Sequence, residues 1–227
     1  MENLRVDLSP AELDLELRAF IADKAFPCVG AKSAAATGGL HSIAARDMRR
    51  DGDDAAIVAA LADWAERSRE AGDGFRSLAV IFREPLPLDE EHFEAMMWTR
   101  LQALAGRDAQ TGAGPDPAVS PDPDHADFAL SFGGEAFFIV GLHPQASRPG
   151  RRFSRPALIF NLHAQFVKLR ADAQYDRMRA QIMKRDIALA GSPNPMLADH
   201  GLRSAARQYS GRAVGADWVC PFQDPRQ

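Results

Sequence analysis

Three short apolar runs limit the folds that this chain can adopt. They are SLAVIFREP at 77–85, AFFIVGL at 136–142 and RPALIFNL at 155–162. Each has the length and the content of branched and aromatic residues that are typical of a β-strand. The first run is apolar almost without interruption, so both of its faces are expected to be covered by other parts of the chain. The runs therefore predict a sheet with covered faces.

Helical patterns lie before and between these runs. Ser9-Pro10-Ala11-Glu12 is typical of a helix start, because a hydroxyl can cap the first turn and proline fits there, and it predicts a helix to about residue 23. Further helices are predicted over 53–71 and 89–104 from apolar residues at helical spacing. Residues 165–190 are predicted to form either one long helix or a broken pair that ends at Gly191.

Small and turn-forming residues mark the irregular segments. The stretch at 26–40, FPCVGAKSAAATGGL, is predicted as a loop with one turn of helix. Proline, glycine and aspartate predict a long loop at about 106–126. The Gly-Gly pair at 133–134 predicts a hairpin between FALSF and AFFIVGL. DWVCPF at 217–222 is predicted as a short edge strand.

The order of these segments predicts the fold class. Helices, strand, helix, hairpin, strand and helix indicate an α+β fold, with an antiparallel or mixed β-sheet flanked by helices in a single domain over 1–227. The content of 46% hydrophobic and 26% charged residues is that of an ordinary globular protein. A net charge of −4 gives no general reason to expect nucleic acid or an anionic membrane as a partner. No apolar stretch approaches the length of a membrane span and the first residues lack a signal-peptide core, which predicts a cytoplasmic protein. Two cysteines are too few for a disulfide framework.

Two histidines follow apolar runs. His163 lies where LIFNL gives way to a helical pattern, and His143 ends FFIVGLH. An imidazole at a strand end can ligate iron, or it can be an interior histidine that is hydrogen-bonded to backbone. The chain has no HExxH, no CxxC and no pair of ligands three or four residues apart, which argues against a structural zinc site. A single axial ligand stays open, because haem iron needs only one protein atom.

Arginines cluster just after His143, at positions 148, 151, 152 and 155. Guanidinium groups suit planar carboxylates, including haem propionates or an amino-acid substrate, and the alternative is a solvated basic loop. Earlier in the chain, Cys28 is either an alternative iron ligand as a thiolate or an inert buried thiol.

The segment SPNPMLADHGLRSAARQYSGR at 192–212 concentrates polar side chains. Asp199 and Tyr209 could orient a cationic substrate, and Arg207 could hold a carboxylate. The alternative is a surface tail with turn-forming residues. Neither a GxSxG nucleophile elbow nor a phosphate-binding glycine loop occurs in the chain, which argues against a serine hydrolase and a phosphate-loop protein.

Taken in order, five stretches resemble the YqcI/YcgG family: FPCVGAKSA, GLHPQASRPGRRF, LIFNLHAQFVKLR, NPMLADHG and ARQYSGR. Some members of that family are haem-dependent N-hydroxylases of arginine or other guanidine-bearing molecules, in cycloserine and guanitoxin biosynthesis, and many have no assigned activity. The resemblance implies haem b as cofactor. It also implies an oxygenase that uses dioxygen and external electrons to hydroxylate a nitrogen of a small guanidine- or amine-bearing substrate.

The same resemblance implies roles for particular residues. His143 and His163 match histidine positions of the family, and His163 is favoured as the iron ligand. Arg148, Arg151 and Arg152 match its basic segment and would neutralise propionates or a substrate carboxylate.

Donors on the far side of the iron would have to assist cleavage of the O–O bond, because a histidine ligand pushes less electron density to iron than a thiolate does. Arg152, Asn161 and Gln165 are the candidates for that task. The chain departs from the family pattern at Leu162, where many relatives have proline, and it lacks an acid near Ser204. Asp199 is the alternative partner for a guanidinium group.

No reductase domain is visible in the sequence, so a separate electron donor is expected. Two other functions stay open: a non-catalytic haem-binding sensor or carrier, and a scaffold or interaction module without a cofactor. The oligomeric state is also open, a homodimer included.

Overall fold

A computed structural model describes residues 8–70, 74–85, 88–197 and 203–227. Within these residues, helices flank one five-stranded mixed sheet, which confirms the predicted α+β class. The elements are α1 (Pro10–Ala22), α2 (Val29–Ala36), β1 (Leu40–Asp47), α3 (Asp54–Glu70), β2 (Ser77–Glu84), α4 (Glu90–Ala109), β3 (Leu130–Phe132), β4 (Glu135–Leu142), β5 (Ala157–Leu162), α5 (His163–Ala171), α6 (Tyr175–Ala190) and α7 (Ala206–Tyr209). The strand order is β1-β2-β5-β4-β3, and β1 and β2 are parallel while the other neighbours are antiparallel.

The predicted coverage of both sheet faces is confirmed at β2. Leu78, Val80 and Phe82 point into a large apolar core beneath α3 and α4, whereas Ala79 and Ile81 point into a smaller core beneath α1 and α2. All five side chains are buried. Side chains alternate between the faces of a strand, so a strand that is buried on both faces needs apolar residues at every position.

Several local predictions are also confirmed. Ser9 caps α1 in a reciprocal hydrogen-bonded arrangement with Glu12. Gly133 and Gly134 make the hairpin turn with φ angles of 59° and 80°, which are accessible to glycine without strain. The 165–190 segment is a broken pair of helices rather than one helix, and α6 ends at Gly191 with φ 76°.

Three of the expected segment assignments are wrong, at 26–40, at 106 and at 217–222, and one strand was not expected. The stretch 26–40 contains the eight-residue helix α2, and α4 runs to Ala109, so the long loop begins at 110 rather than 106. Strand β1 was not expected at all, because LHSIAARD has few large apolar residues and depends on pairing with β2.

DWVCPF is not a strand either. Cys220 and Phe222 in this segment are buried in the large core. The adjacent backbone is held by a side chain rather than by a strand, since the Gln102 amide both donates to the carbonyl of Gln223, at 2.8 Å, and accepts from its N–H, at 2.9 Å. Among the described residues, no helix is long and apolar enough to cross a membrane.

Candidate functional site

A cavity of about 340 Å³ lies against the face of the sheet that also carries α1 and α2. Its floor comes from one set of alternating positions on the two adjacent strands β4 and β5, namely Phe138, Val140, Leu142, Ile159 and Asn161. These residues share a face because the register pairs Val140 with Ile159 and Phe138 with Asn161. The floor is therefore apolar except at its Asn161 end.

Helices build the other walls. Leu17 and Ile21 of α1 contribute to these walls, and so do Phe166, Met178 and Ile182 of α5 and α6. Residues of the 126–129 loop and of the segments 194–197 and 203–211 complete the lining. The volume and the apolar walls are those of a site for a small organic ligand.

His163 lies on the wall of this cavity and is half-buried. It is the first residue of α5 and directly follows β5, so it continues the face on which Ile159 and Asn161 lie. The strand end thus brings an imidazole to the polar end of an otherwise apolar floor. This placement agrees with the prediction that His163 is presented by the end of a strand.

His143 lies on the opposite side of the sheet and does not line the cavity. It is 1% exposed, its ring stacks on Phe93 of α4 at 4.4 Å, and its Nδ1–H donates to the carbonyl of Leu88 at 3.2 Å. Burial lowers the pKa of His143 from its ordinary value, which keeps the ring neutral. These contacts are those of the interior histidine that was the alternative reading of this position.

Cys28 also lines the cavity, at the first turn of α2. Its Sγ accepts a hydrogen bond from the N–H of Ala31 at 3.4 Å. Burial raises the pKa of the Cys28 thiol in spite of the nearby positive charge of Arg151. Since the thiolate is the form that binds metals, this environment favours an inert thiol over an iron ligand.

Arg148 lies on the cavity wall, but its guanidinium group already has protein partners. It forms an ion pair with Asp186 of α6 and donates to the carbonyl of Ser192 at 2.9 Å and to that of Pro193 at 3.4 Å. The Arg148 and Asp186 side chains are each 11% exposed. The pair attaches α6 to the loop between β4 and β5.

Arg151 is on the cavity wall too, and it holds the backbone of a neighbouring segment. Its terminal nitrogens donate to the carbonyls of Gly141 at 3.2 Å, Tyr209 at 2.8 Å and Gln208 at 2.8 Å. Burial lowers the pKa of Arg151 to about 10, so the group still carries its charge at neutral pH. Gly211 lies against this side chain, where a Cβ would be 2.5 Å from Arg151 Cδ.

The three residues predicted to assist O–O cleavage, Arg152, Asn161 and Gln165, already form hydrogen bonds within the protein. Asn161 lines the cavity, but its amide accepts from Ser77 Oγ at 2.7 Å and donates to the carbonyl of Phe138 at 3.2 Å. Arg152 lies off the cavity wall and donates to the carbonyl of Ala146 at 3.0 Å.

Gln165 is likewise off the wall. Its amide oxygen accepts from the N–H of Arg76 at 2.9 Å, and its amide nitrogen donates to the carbonyl of the same residue. The structure therefore brings only Asn161 of the three to the cavity.

The predicted substrate-binding residues are not brought together on the wall. Arg207 donates to the carbonyl of Trp218 at 2.9 Å and covers the indole ring of that residue. Tyr209 is fully buried, its hydroxyl donates to the carbonyl of Phe137 at 3.4 Å, and burial raises its pKa. Asp199 lies outside the described residues.

Three further arginines on the cavity wall were missed by sequence reasoning: Arg170, Arg179 and Arg203. Helical spacing indicates Arg170, because His163, Phe166 and Arg170 recur at intervals of three and four residues along α5 and so share one face. That signal is usable only once His163 is known to face the cavity.

The cavity wall carries an excess of positive charge although the chain as a whole has a net charge of −4. Five arginines line it, and the lining acids are Asp186 and Asp127. Asp186 is paired with Arg148, and the Asp127 side chain is 58% exposed. A cleft lined by one sign of charge attracts ligands of the opposite sign, so this wall favours an anionic ligand or one with carboxylate groups.

Within the described part of the chain, no group of three or more histidine, cysteine, aspartate or glutamate side chains could hold a metal ion.

Comparison with known proteins gives one family and one curated relative. The YqcI/YcgG family pattern matches residues 17–223. Over 164 residues the chain is 27% identical to the uncharacterized protein YcgG of Bacillus subtilis (strain 168). This match covers 70% of the chain and 63% of YcgG, so it spans less than two thirds of that relative. No solved structure matches the chain.

Proposed function

We propose that this chain, which belongs to the YqcI/YcgG family, binds haem b in its cavity and is a haem-dependent N-hydroxylase of a small guanidine- or amine-bearing molecule. The observation that carries the proposal is the position of His163. A single imidazole directly follows β5 on the wall of a cavity with an apolar floor, and that wall also carries five arginines. Haem needs one protein atom on iron, an apolar surface for the porphyrin and cations for its two acidic arms.

His163 is the iron ligand in this proposal. Cys28 also faces the cavity, but burial raises its pKa and so disfavours the thiolate. His143 is packed against Phe93 on the other side of the sheet. The chemistry of the three candidate donors therefore favours His163.

The acidic arms of haem would meet the arginine-lined part of the wall. Arg148 and Arg151 contribute positive charge there, but most of their donors are used within the protein. Arg170 and Arg203 also line the cavity, and the Arg170 guanidinium lies over the ring of Tyr175. We propose that these two supply most of the hydrogen bonds to the propionates.

Bound haem would supply the activation of dioxygen, with electrons from a separate donor protein in the cytoplasm. The chain's own part is to orient the substrate and to exclude water. Val140, Ile159 and Phe138 form an apolar floor, which would keep water away from the reacting atoms. The positive wall favours a substrate that carries a carboxylate as well as the nitrogen to be hydroxylated. Asp199 is proposed to bind the guanidinium or amine group of the substrate. The proposal also includes a homodimer.

Titration of the purified protein with hemin tests the cofactor. We expect the wild type to develop a Soret band, His163→Ala to lose it or shift it strongly, and His143→Gln and Cys28→Ala to keep it. A colourless wild-type protein after incubation with hemin would reject the proposal. An unchanged spectrum in His163→Ala would reject His163 as the ligand.

Oxygen consumption separates the enzyme from a haem sensor or carrier. The haem-loaded protein, supplied with a chemical reductant, is expected to consume more dioxygen when an amino acid with a guanidine or amine side chain is added. It should also yield a product heavier by one oxygen atom. If a panel of such compounds produces neither effect while the Soret band is intact, the protein binds haem without turnover.

A further inference from the structure

We infer that an aromatic column, defined as Tyr209, Trp98 and Trp218, conducts single electrons between the cavity and the protein surface. The inference rests on the proposed haem function, because it needs an oxidant in the cavity. Ring centroids along the column are 5.7 Å apart between Tyr209 and Trp98, and 6.2 Å apart between Trp98 and Trp218. Indole is among the side chains that lose one electron most readily, and neighbouring rings at such separations exchange electrons quickly.

The inner end of the column is one ring away from the cavity. Phe138 and Phe128 both line the cavity, and both contact Tyr209, edge-on at 5.4 Å and tilted at 6.2 Å respectively. The Tyr209 hydroxyl donates to a backbone carbonyl, that of Phe137, which cannot take the phenolic proton. Tyr209 therefore serves as a bridging ring rather than as a residue that is itself oxidised.

The middle of the column is dry. Trp98 is 3% exposed, and its ring stacks on that of Tyr209 with an angle of 25° between the planes. Its indole N–H is buried and has no hydrogen-bond partner within the part of the chain that the structure describes. An oxidised Trp98 would have no acceptor for its proton, so the positive charge would move on to the next ring.

The outer end reaches the surface. Trp218 is half-buried, and its neighbour Val219 is 72% exposed. The guanidinium of Arg207 lies 5.3 Å from the centre of the Trp218 ring. This positive charge opposes a cationic Trp218 radical and favours loss of the indole proton to solvent.

The column would act when an oxidising equivalent forms in the cavity and no substrate consumes it. With hydrogen peroxide as the oxidant, reduction to two waters takes two electrons and two protons. The Trp218 ring supplies both electrons, one after the other, through Trp98; a water molecule adds to the oxidised ring and two protons are released. The net reaction converts the indole and hydrogen peroxide into a hydroxylated ring and one water, so a stable gain of one oxygen atom at Trp218 records the event.

The experiment uses the full chain loaded with hemin and treated with hydrogen peroxide, without substrate, followed by peptide mass mapping. The test variant is Trp98→Phe and the matched control is Trp64→Phe. Trp64 is 2% exposed, lies outside the column, and also has a buried indole N–H without a partner in the described residues. Neither substitution removes a hydrogen bond, so both should fold and keep the Soret band.

We expect oxygen addition at Trp218 in the wild type and in Trp64→Phe, and loss of most of it in Trp98→Phe. If haem binds but Trp218 is not oxidised, or is oxidised equally in both variants, electron transfer through the column is wrong while the haem proposal stands. Failure of the wild type to bind hemin would overturn the column together with the proposed function. The spectrum recorded before peroxide is added distinguishes these two failures.

Discussion

The ion pair between Arg148 and Asp186 gives the sharpest stability prediction. Replacing Arg148 with methionine keeps most of the side-chain volume but leaves the Asp186 carboxylate, 11% exposed, without its cation. It also removes the bonds to the carbonyls of Ser192 and Pro193 that fix the end of α6. Breaking a buried pair by removing one partner costs about 3–5 kcal/mol, and the small residual exposure points to the lower value, about 3 kcal/mol.

Urea unfolding of the protein without cofactor, followed by tryptophan fluorescence, measures this cost. With a urea dependence of about 2–3 kcal/mol per molar, a loss of about 3 kcal/mol lowers the midpoint by about 1–1.5 M. The double variant Arg148→Met with Asp186→Leu should recover a large part of the loss, because no unpaired charge is then buried.

Arg152→Met is the matched control. Arg152 is exposed, and its side chain donates to the carbonyls of Ala146 and Ser147, so its replacement should lower the free energy of unfolding by about 1 kcal/mol or less. The reasoning is refuted if Arg148→Met is as stable as this control, or if the double variant shows the summed losses of the two single ones.

Three further predictions concern a glycine pair, a thiol and a histidine. Gly211→Ala should lower the free energy of unfolding by about 2–3 kcal/mol, because a φ of 88° is strained for alanine and the new Cβ would clash with Arg151. Gly191→Ala, at φ 76° with open space around it, should lower that free energy by only about 1 kcal/mol. Equal urea midpoints for the two variants would contradict the clash. Burial raises the pKa of Cys28, so iodoacetamide should modify this thiol more slowly at neutral pH than free cysteine, and an equal or faster rate would contradict the buried environment. Burial lowers the pKa of His143, so the native state binds a proton less readily than the unfolded chain, and stability should fall as the pH drops below about 6.5. His143→Gln should weaken this pH dependence of the urea midpoint. An unchanged pH dependence in the variant would contradict the role of His143.

Much of the fold follows from local sequence signals. The apolar run of β2, the capping pair Ser9 and Glu12 and the two hairpin glycines were sufficient for their elements, because each signal acts over a few neighbouring residues. Strand β1 was missed because its stability comes from pairing with β2 rather than from its own residues. The same limitation explains the wrong strand at 217–222, where apolar residues enter the core without pairing.

The candidate site shows the same division. The sequence identifies His163, Cys28, Arg148 and Arg151 as chemically capable, and all four line the cavity. It gives no indication that the two arginines are largely occupied by protein acceptors, because those acceptors come from distant segments. Arg170 was missed for a related reason, since its face of α5 is defined only by the packing of that helix.

By itself, the sequence determined strands β2 to β5, helices α1, α3 and α4, the α+β class and the resemblance to a known family. Only the tertiary structure showed that the two histidines lie on different faces of the sheet. In sequence, His143 and His163 both follow an apolar run, and the family resemblance alone favoured His163. Side chains alternate along a strand and the register pairs Leu142 with Ala157, so His163 continues the cavity face whereas His143 falls on the opposite face against Phe93. A shift of one position along a strand moves a side chain to the opposite face of the sheet. The packing of the whole sheet decides which positions face the cavity.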